Sequence, residues 1–168
     1  PWVGHKKAID NERLDKLFKV GKEFGIKYLS LWIFSTENWS RDEKETEMLF
    51  QLFNQTSKNI EKLIKKEGVR FRHFGRKDRL PKNIIEKLNE LEEISISNTK
   101  INFQLLMDYG GRDEIVRAVN KIINEKVENI TEESFSSYLD SNGIPDPDYI
   151  IRTSGEQIIT GLLPYQST

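Results

Sequence analysis

A chain of 168 residues suits one domain and leaves little room for two. With 26 Lys plus Arg against 27 Asp plus Glu, its formal charge of −1 supplies no global basic field for nucleic acid. The absence of cysteine excludes disulfides and cysteine zinc sites, and no apolar run approaches the roughly 18 residues that span a bilayer.

Helical and strand-like patterns take turns along the chain. Ala8, Leu14, Leu17, Phe18, Val20 and Phe24 predict a first helix, with Gly25 as its stop. Tyr28 to Phe34 is a short, nearly continuous apolar run, as expected of a strand buried on both faces. Ser40-Arg41-Asp42-Glu43 has capping-box spacing and opens a long helix whose face reads Leu49, Leu52, Phe53, Ile60, Leu63 and Ile64. Gly68 ends it, and Val69 to Gly75 alternates as a second strand.

Pro81 predicts the start of a third helix with Ile84, Ile85, Leu88 and Leu91 on its face. Ile101 to Met107 reads as a third strand, and Ile115, Val116, Val119, Ile122 and Ile123 as another helix. Thr131 is a plausible N-cap for a short helix to Leu139, although Ser134 does not complete the usual capping box. After Pro145 and Pro147, Asp148 to Arg152 reads as a fourth strand. This alternation argues for an α/β domain with a mainly parallel central sheet flanked by helices.

Ligands of open α/β sheets gather beyond the carboxyl ends of the strands. Those positions here carry Ser35-Thr36-Glu37-Asn38-Trp39, Gly75-Arg76-Lys77-Asp78-Arg79, Asp108-Tyr109-Gly110-Gly111-Arg112 and Arg152-Thr153-Ser154-Gly155-Glu156. Hydroxyl-, Gly- and Arg-bearing turns on one rim suit an anionic ligand, because amides and guanidinium forks match phosphate oxygens. Each cluster also has a plain structural reading. Ser35, Thr36 and Asn38 are good turn formers, Ser40 a simple N-cap, and Gly110-Gly111 a tight-turn device. Arg76, Lys77 and Arg79 read as a solvated loop. With His5 and His73 as the two histidines and no metal-type spacing, a zinc site is not indicated, and no P-loop or G-x-G-x-x-G is present.

The ordered set Gly4-His5, Phe34-Ser35-Thr36-Glu37-Asn38-Trp39, Asp108-Tyr109-Gly110-Gly111-Arg112 and Ile151-Arg152-Thr153-Ser154-Gly155-Glu156 resembles the cis-prenyltransferases, whose best-known member is undecaprenyl diphosphate synthase. The likeness covers nearly the whole chain, as one domain over residues 1–168 that is incomplete at both ends.

The resemblance implies condensation of isopentenyl diphosphate onto an allylic diphosphate, farnesyl or geranylgeranyl, to make a long-chain polyprenyl carrier-lipid precursor. It assigns Asn38, Ser35 and His5 to the reacting centre, with Asn38 relaying or positioning the proton, since a neutral amide is a poor base. Thr36, Glu37 and Trp39 would shape the same pocket, and Arg41 would meet the starter diphosphate. Arg152 and Thr160 would hold isopentenyl diphosphate, and Ile101, Phe103 and Leu105 would wall a tunnel for the growing tail.

The resemblance also implies Mg²⁺, a homodimer and a cytoplasmic address with peripheral membrane contact through the lipid product. Its metal ligands would lie before Pro1 and beyond Thr168, so none is assigned within this chain. Ile158 stands where the family usually has a second phosphate-binding Arg, which predicts weaker isopentenyl diphosphate binding. That departure motivates an alternative, a non-catalytic partner subunit of a prenyltransferase complex. A phosphate- or RNA-binding module using Arg70 to Arg79 is the third reading.

Overall fold

The computed structural model describes residues 11–152 and 161–167. They separate into two compact units, Pro1–Asp108 and Tyr109–Thr168.

In the first unit, helix α1 (Asn11–Glu23) buries Leu14 and Phe18. It ends in a Schellman motif: Ile26 N–H reaches Gly21 O at 2.8 Å and Gly25 N–H reaches Lys22 O at 3.2 Å. Gly25 takes the left-handed φ of +71° that this ending requires. Strand β1 (Tyr28–Ser35) follows, then a 3₁₀ turn over Thr36–Ser40. The long helix α2 (Glu43–Glu67) leads to β2 (Val69–Phe74). Helix α3 (Lys82–Ile94) leads to β3 (Ile101–Tyr109), whose last residue opens the second unit.

The strands order as β1-β3-β2. β2 and β3 pair in parallel from Val69 opposite Ile101 to Phe74 opposite Leu106. At the other side of β3, Asn102 N–H donates to Lys27 O just ahead of β1, so the starts of β1 and β3 lie together. The carboxyl ends of all three strands therefore share one rim.

The core beneath the sheet is aromatic. Phe18 meets Phe103 edge-on at 5.1 Å, and Phe71 meets Phe103 at 5.8 Å. On α2, Leu49, Phe53, Ile60 and Ile64 recur at helical spacing and are buried. On α3, Ile84, Leu88 and Leu91 are fully buried.

Three local expectations need correction. β1 is not sealed on both faces: it is an edge strand among the described residues, and Tyr28 and Ser30 are exposed. Helix α2 is capped by Asp42, whose carboxylate accepts the Lys44 N–H at 3.1 Å, rather than by Ser40. Ser40 instead closes the preceding turn by donating to Glu37 O at 2.8 Å. α3 begins one residue later than expected, with Pro81 as its N-cap.

The second unit holds α4 (Gly111–Asn124) and the short α5 (Glu132–Ser136). Gly111 is obligatory by contact: an added Cβ would lie 1.9 Å from Pro164 Cδ, and its N–H donates to Gly161 O at 2.9 Å. At α5, Thr131 and Ser134 do form a reciprocal cap, since Ser134 Oγ accepts Thr131 N–H and Thr131 Oγ1 accepts Ser134 N–H. A serine hydroxyl thus fills the place usually given to Glu or Gln.

The expected strand over Asp148–Arg152 is absent: these residues form no regular element. Tyr149 and Ile151 are 89% and 85% exposed, so the apolar pattern there buries nothing and joins no ladder. Likewise, of the apolar residues expected on the face of α4, Val116, Val119 and Ile123 are exposed, Ile115 is half-buried and Ile122 is buried; Ala118, outside that expected face, is fully buried.

Candidate functional site at the carboxyl rim

The 3₁₀ turn after β1, with Ser35 and Arg41 as its caps, carries the predicted site residues of the first unit that the structure describes. Asn38 folds back so that its Oδ1 accepts the Ser35 backbone N–H at 2.9 Å. Arg41 N–H closes the turn on Asn38 O at 3.1 Å. Thr36 and Asn38 are half-buried, and Glu37 is exposed. Arg41 is held loosely, with Nη1 3.9 Å from the Glu45 carboxylate, so its guanidinium keeps donors for an anion.

Trp39 points the other way, into the protein. Its ring meets Phe34 edge-on at 5.1 Å and Phe50 at 5.9 Å. Its indole N–H donates to Asp108 Oδ1 at 2.8 Å. Asp108, the last residue but one of β3, has no exposed surface and a φ of +51°, a left-handed backbone that Asp tolerates better than most residues. A buried carboxylate must be paired, and here the pairing is complete. Arg79 Nε donates to Oδ2 at 2.9 Å, and Arg79 Nη2 donates to Oδ1. The guanidinium also lies 5.7 Å from the Trp39 ring centroid, a cation–π contact.

The loop that delivers Arg79 is fitted tightly to β3. Arg76 N–H donates to Asp108 O at 3.0 Å. Gly75, at φ +123°, leaves no space for a side chain: an added Cβ would stand 2.3 Å from Met107 O. Arg79 is solvated, as the loop reading has it, but its guanidinium is also committed to the buried Asp108. Its neighbours are engaged too: Arg76 grips Asp78 through Nε and Nη2, and Lys77 bridges Asn89 and Glu92, each at 2.7 Å.

Below the rim, Leu14, Leu31, Ile33, Phe53, Phe103 and Leu105 line an apolar cavity of about 10 Å³. Phe103 and Leu105 were expected on such a wall; Ile101 is buried but does not line it.

In the second unit, Arg152 is exposed. His5 and Thr160 lie outside the described residues, as does Ile158. The unit's buried polar centre is Glu114. Its Oε2 accepts Tyr109 O–H at 2.6 Å and Gln166 Nε2–H at 3.2 Å, and its Oε1 accepts Asp140 N–H at 2.8 Å. Burial raises the Glu114 carboxyl above its ordinary value, and the Asp140 charge adds to this against the lowering effect of its donors. Burial and the Glu114 charge together raise the Tyr109 phenol.

The residues missed by sequence reasoning are Asp108 and Arg79 as a pair. The signal was a carboxylate at the end of the most apolar strand, which demands a cation nearby; nothing in the spacing told which of Arg76, Lys77 or Arg79 would supply it.

The family described as "Putative undecaprenyl diphosphate synthase" matches residues 1–168. An isoprenyl transferase from Fusobacterium nucleatum is 45% identical over 163 residues, covering 97% of this chain and 70% of that protein. One from Aquifex pyrophilus is 42% identical over 161 residues, covering 96% and 69%. Among solved structures, a probable undecaprenyl diphosphate synthase from Campylobacter jejuni superposes with a TM-score of 0.85 at 32% identity, over 94% of this chain and 75% of that one. Lavandulyl diphosphate synthase from Lavandula x intermedia, in complex with dimethylallyl diphosphate, gives 0.89 at 26% identity, over 98% and 73%.

Proposed function

We propose, because this chain belongs to the undecaprenyl diphosphate synthase family and is a prenyltransferase, that it condenses isopentenyl diphosphate onto a farnesyl or geranylgeranyl diphosphate starter. In that reaction the allylic C–O bond breaks and diphosphate departs. The double bond of isopentenyl diphosphate forms the new C–C bond to the allylic carbon, and a proton leaves to set a cis double bond.

The observation that carries this reading is the Ser35–Asn38 turn. Because Oδ1 is occupied by the Ser35 N–H, Asn38 presents its Nδ2 hydrogens, and they suit a diphosphate oxygen or a relaying water. Asn38 thus positions rather than takes the proton, which passes to diphosphate or solvent. The Ser35 hydroxyl belongs to the same centre, with His5 as a hydrogen-bonding neighbour. Arg41 meets the starter diphosphate, where a charge-assisted fork stabilises the leaving group as charge develops. Thr36 and Glu37 shape the pocket, Trp39 supports it from within the protein, and Arg152 and Thr160 hold isopentenyl diphosphate.

The apolar cavity suits the start of a tail channel. At about 10 Å³ it admits roughly one water-sized sphere, so a prenyl chain requires its walls to part. A homodimer and contact with the membrane surface through the lipid product complete the proposal. Among the described residues, no helix is long and apolar enough to cross a membrane.

Mg²⁺, which the resemblance implies, finds no fitting ligand set in the described residues. No group of three His, Asp or Glu side chains converges there, and both Asp108 oxygens are taken.

The test is incorporation of labelled isopentenyl diphosphate into butanol-extractable product by a full-length form carrying the metal ligands expected outside this chain, with each starter and with Mg²⁺ present. Product with either starter supports the reading; none with both starters overturns it.

A further inference from the structure

We infer that Asp108 is a positioning residue for this transfer, holding the Asn38 turn in place through Trp39; the inference rests on the assignment of Asn38 to the reacting centre. The geometry gives the side chain little other reason to be built this way. A carboxylate with no exposed surface is placed on a left-handed residue at the end of the central strand. An apolar residue there would avoid the cost of desolvating a charge and the need to match it.

What the carboxylate gains is simultaneous hold on two other strand ends. Through Oδ1 it fixes the indole of Trp39, next in sequence to Asn38 and already packed on Phe34 and Phe50. Through both oxygens it fixes Arg79, which in turn covers the Trp39 ring. The loop carrying Arg79 is itself pinned to Asp108 by the Arg76 N–H. The turns following β1 and β2 are therefore tied to one point on β3. A short 3₁₀ turn held only by its own hydrogen bonds has poor intrinsic stability; the indole anchor supplies the rigidity that a reacting centre needs.

The test is a double-mutant cycle in the full chain on Asp108→Asn and Asn38→Ala. Asn retains a carbonyl oxygen for the Trp39 N–H but turns amide hydrogens against Arg79. If Asp108 acts through Asn38, each single variant lowers kcat, by up to about a hundredfold for a displaced group. KM for isopentenyl diphosphate then changes little, and the double variant is no slower than Asn38→Ala alone. Independent, multiplicative losses in kcat overturn the proposal.

A readout free of turnover keeps it separable from the reaction assignment. The Asn38 side-chain NH₂ resonance, identified by its loss in Asn38→Ala, should shift in Asp108→Asn. It should shift likewise in Trp39→Phe, which keeps an aromatic ring while removing the indole donor, and which stands in if Asp108→Asn does not fold. An unmoved resonance overturns the positioning role even in an active enzyme. A shifted resonance in a protein without turnover supports the Asp108 anchor while the assigned reaction fails.

Discussion

Asn38 Oδ1 accepts the Ser35 backbone N–H at 2.9 Å, and this bond decides which end of the amide faces outward. A backbone N–H can only be met by the oxygen, so the orientation follows from chemistry. Asn38→Asp tests the consequence. Aspartate keeps the acceptor for Ser35 N–H and loses the outward donors. If Asn38 serves as a donor, Asn38→Asp should be at least as inactive as Asn38→Ala in steady-state assays with isopentenyl diphosphate. An Asp variant that retains activity would instead mark the site as a base.

Removing the cation from Asp108 should cost stability. Arg79→Met leaves a fully buried carboxylate with the Trp39 N–H as its remaining side-chain donor among the contacts described. Breaking a buried pair from one side typically costs about 3–5 kcal/mol, and the lower end applies because the Arg79 side chain is 37% exposed. Urea unfolding should show this loss. Adding Asp108→Asn to Arg79→Met should recover part of it, since the unpaired charge is then gone. No recovery would mean that Arg79 contributes through packing on Trp39 rather than through its charge.

The legible parts of this fold were those where burial and period agree. Val69 to Phe74, Ile84 to Leu91 and Ile101 onward each alternate or recur cleanly, and each lies against the aromatic core. Asp148–Arg152 carries the same β-branched signal without the burial, because a local pattern cannot say whether a strand edge waits to receive it. Capping was misjudged for a related reason: Ser40 and Asp42 are both good N-caps, and the choice was made by the 3₁₀ turn that uses Ser40. At the site, the Ser35 to Trp39 segment could be read from its residues. The Asp108–Arg79 pair could not, since it joins positions 29 apart through two strand ends.

Gly75 offers a check on how tightly those strand ends fit. At φ +123°, its missing Cβ would overlap Met107 O at 2.3 Å and Asp108 O at 2.7 Å. Backbone atoms cannot step aside as a flexible side chain would. Gly75→Ala should therefore destabilise by at least about 2 kcal/mol, combining strained φ with displaced backbone. Because the shift falls on Asp108, Trp39 fluorescence should change before global unfolding in a urea titration. A variant as stable as wild type would show that the β2 loop has slack.

Glu114 sets a pH dependence of opposite sign to that of a surface ion pair. Its folded-state carboxyl is raised from the ordinary 4.5 by burial first, with the Asp140 charge adding to it. Between the ordinary and the raised value the native state binds more protons than the unfolded state, so this group's contribution to stability falls as pH rises through that window. It is fully present below the ordinary value. Glu114→Gln removes the titration while keeping one oxygen for the Asp140 N–H, at the expense of a mismatch with the donors on Oε2. Whatever that mismatch costs, it does not titrate in this range. The stability of Glu114→Gln relative to wild type, from urea unfolding between about pH 4 and pH 8, should accordingly improve with rising pH. A constant difference would mean that the three donors hold Glu114 ionised throughout, and that burial has been fully offset.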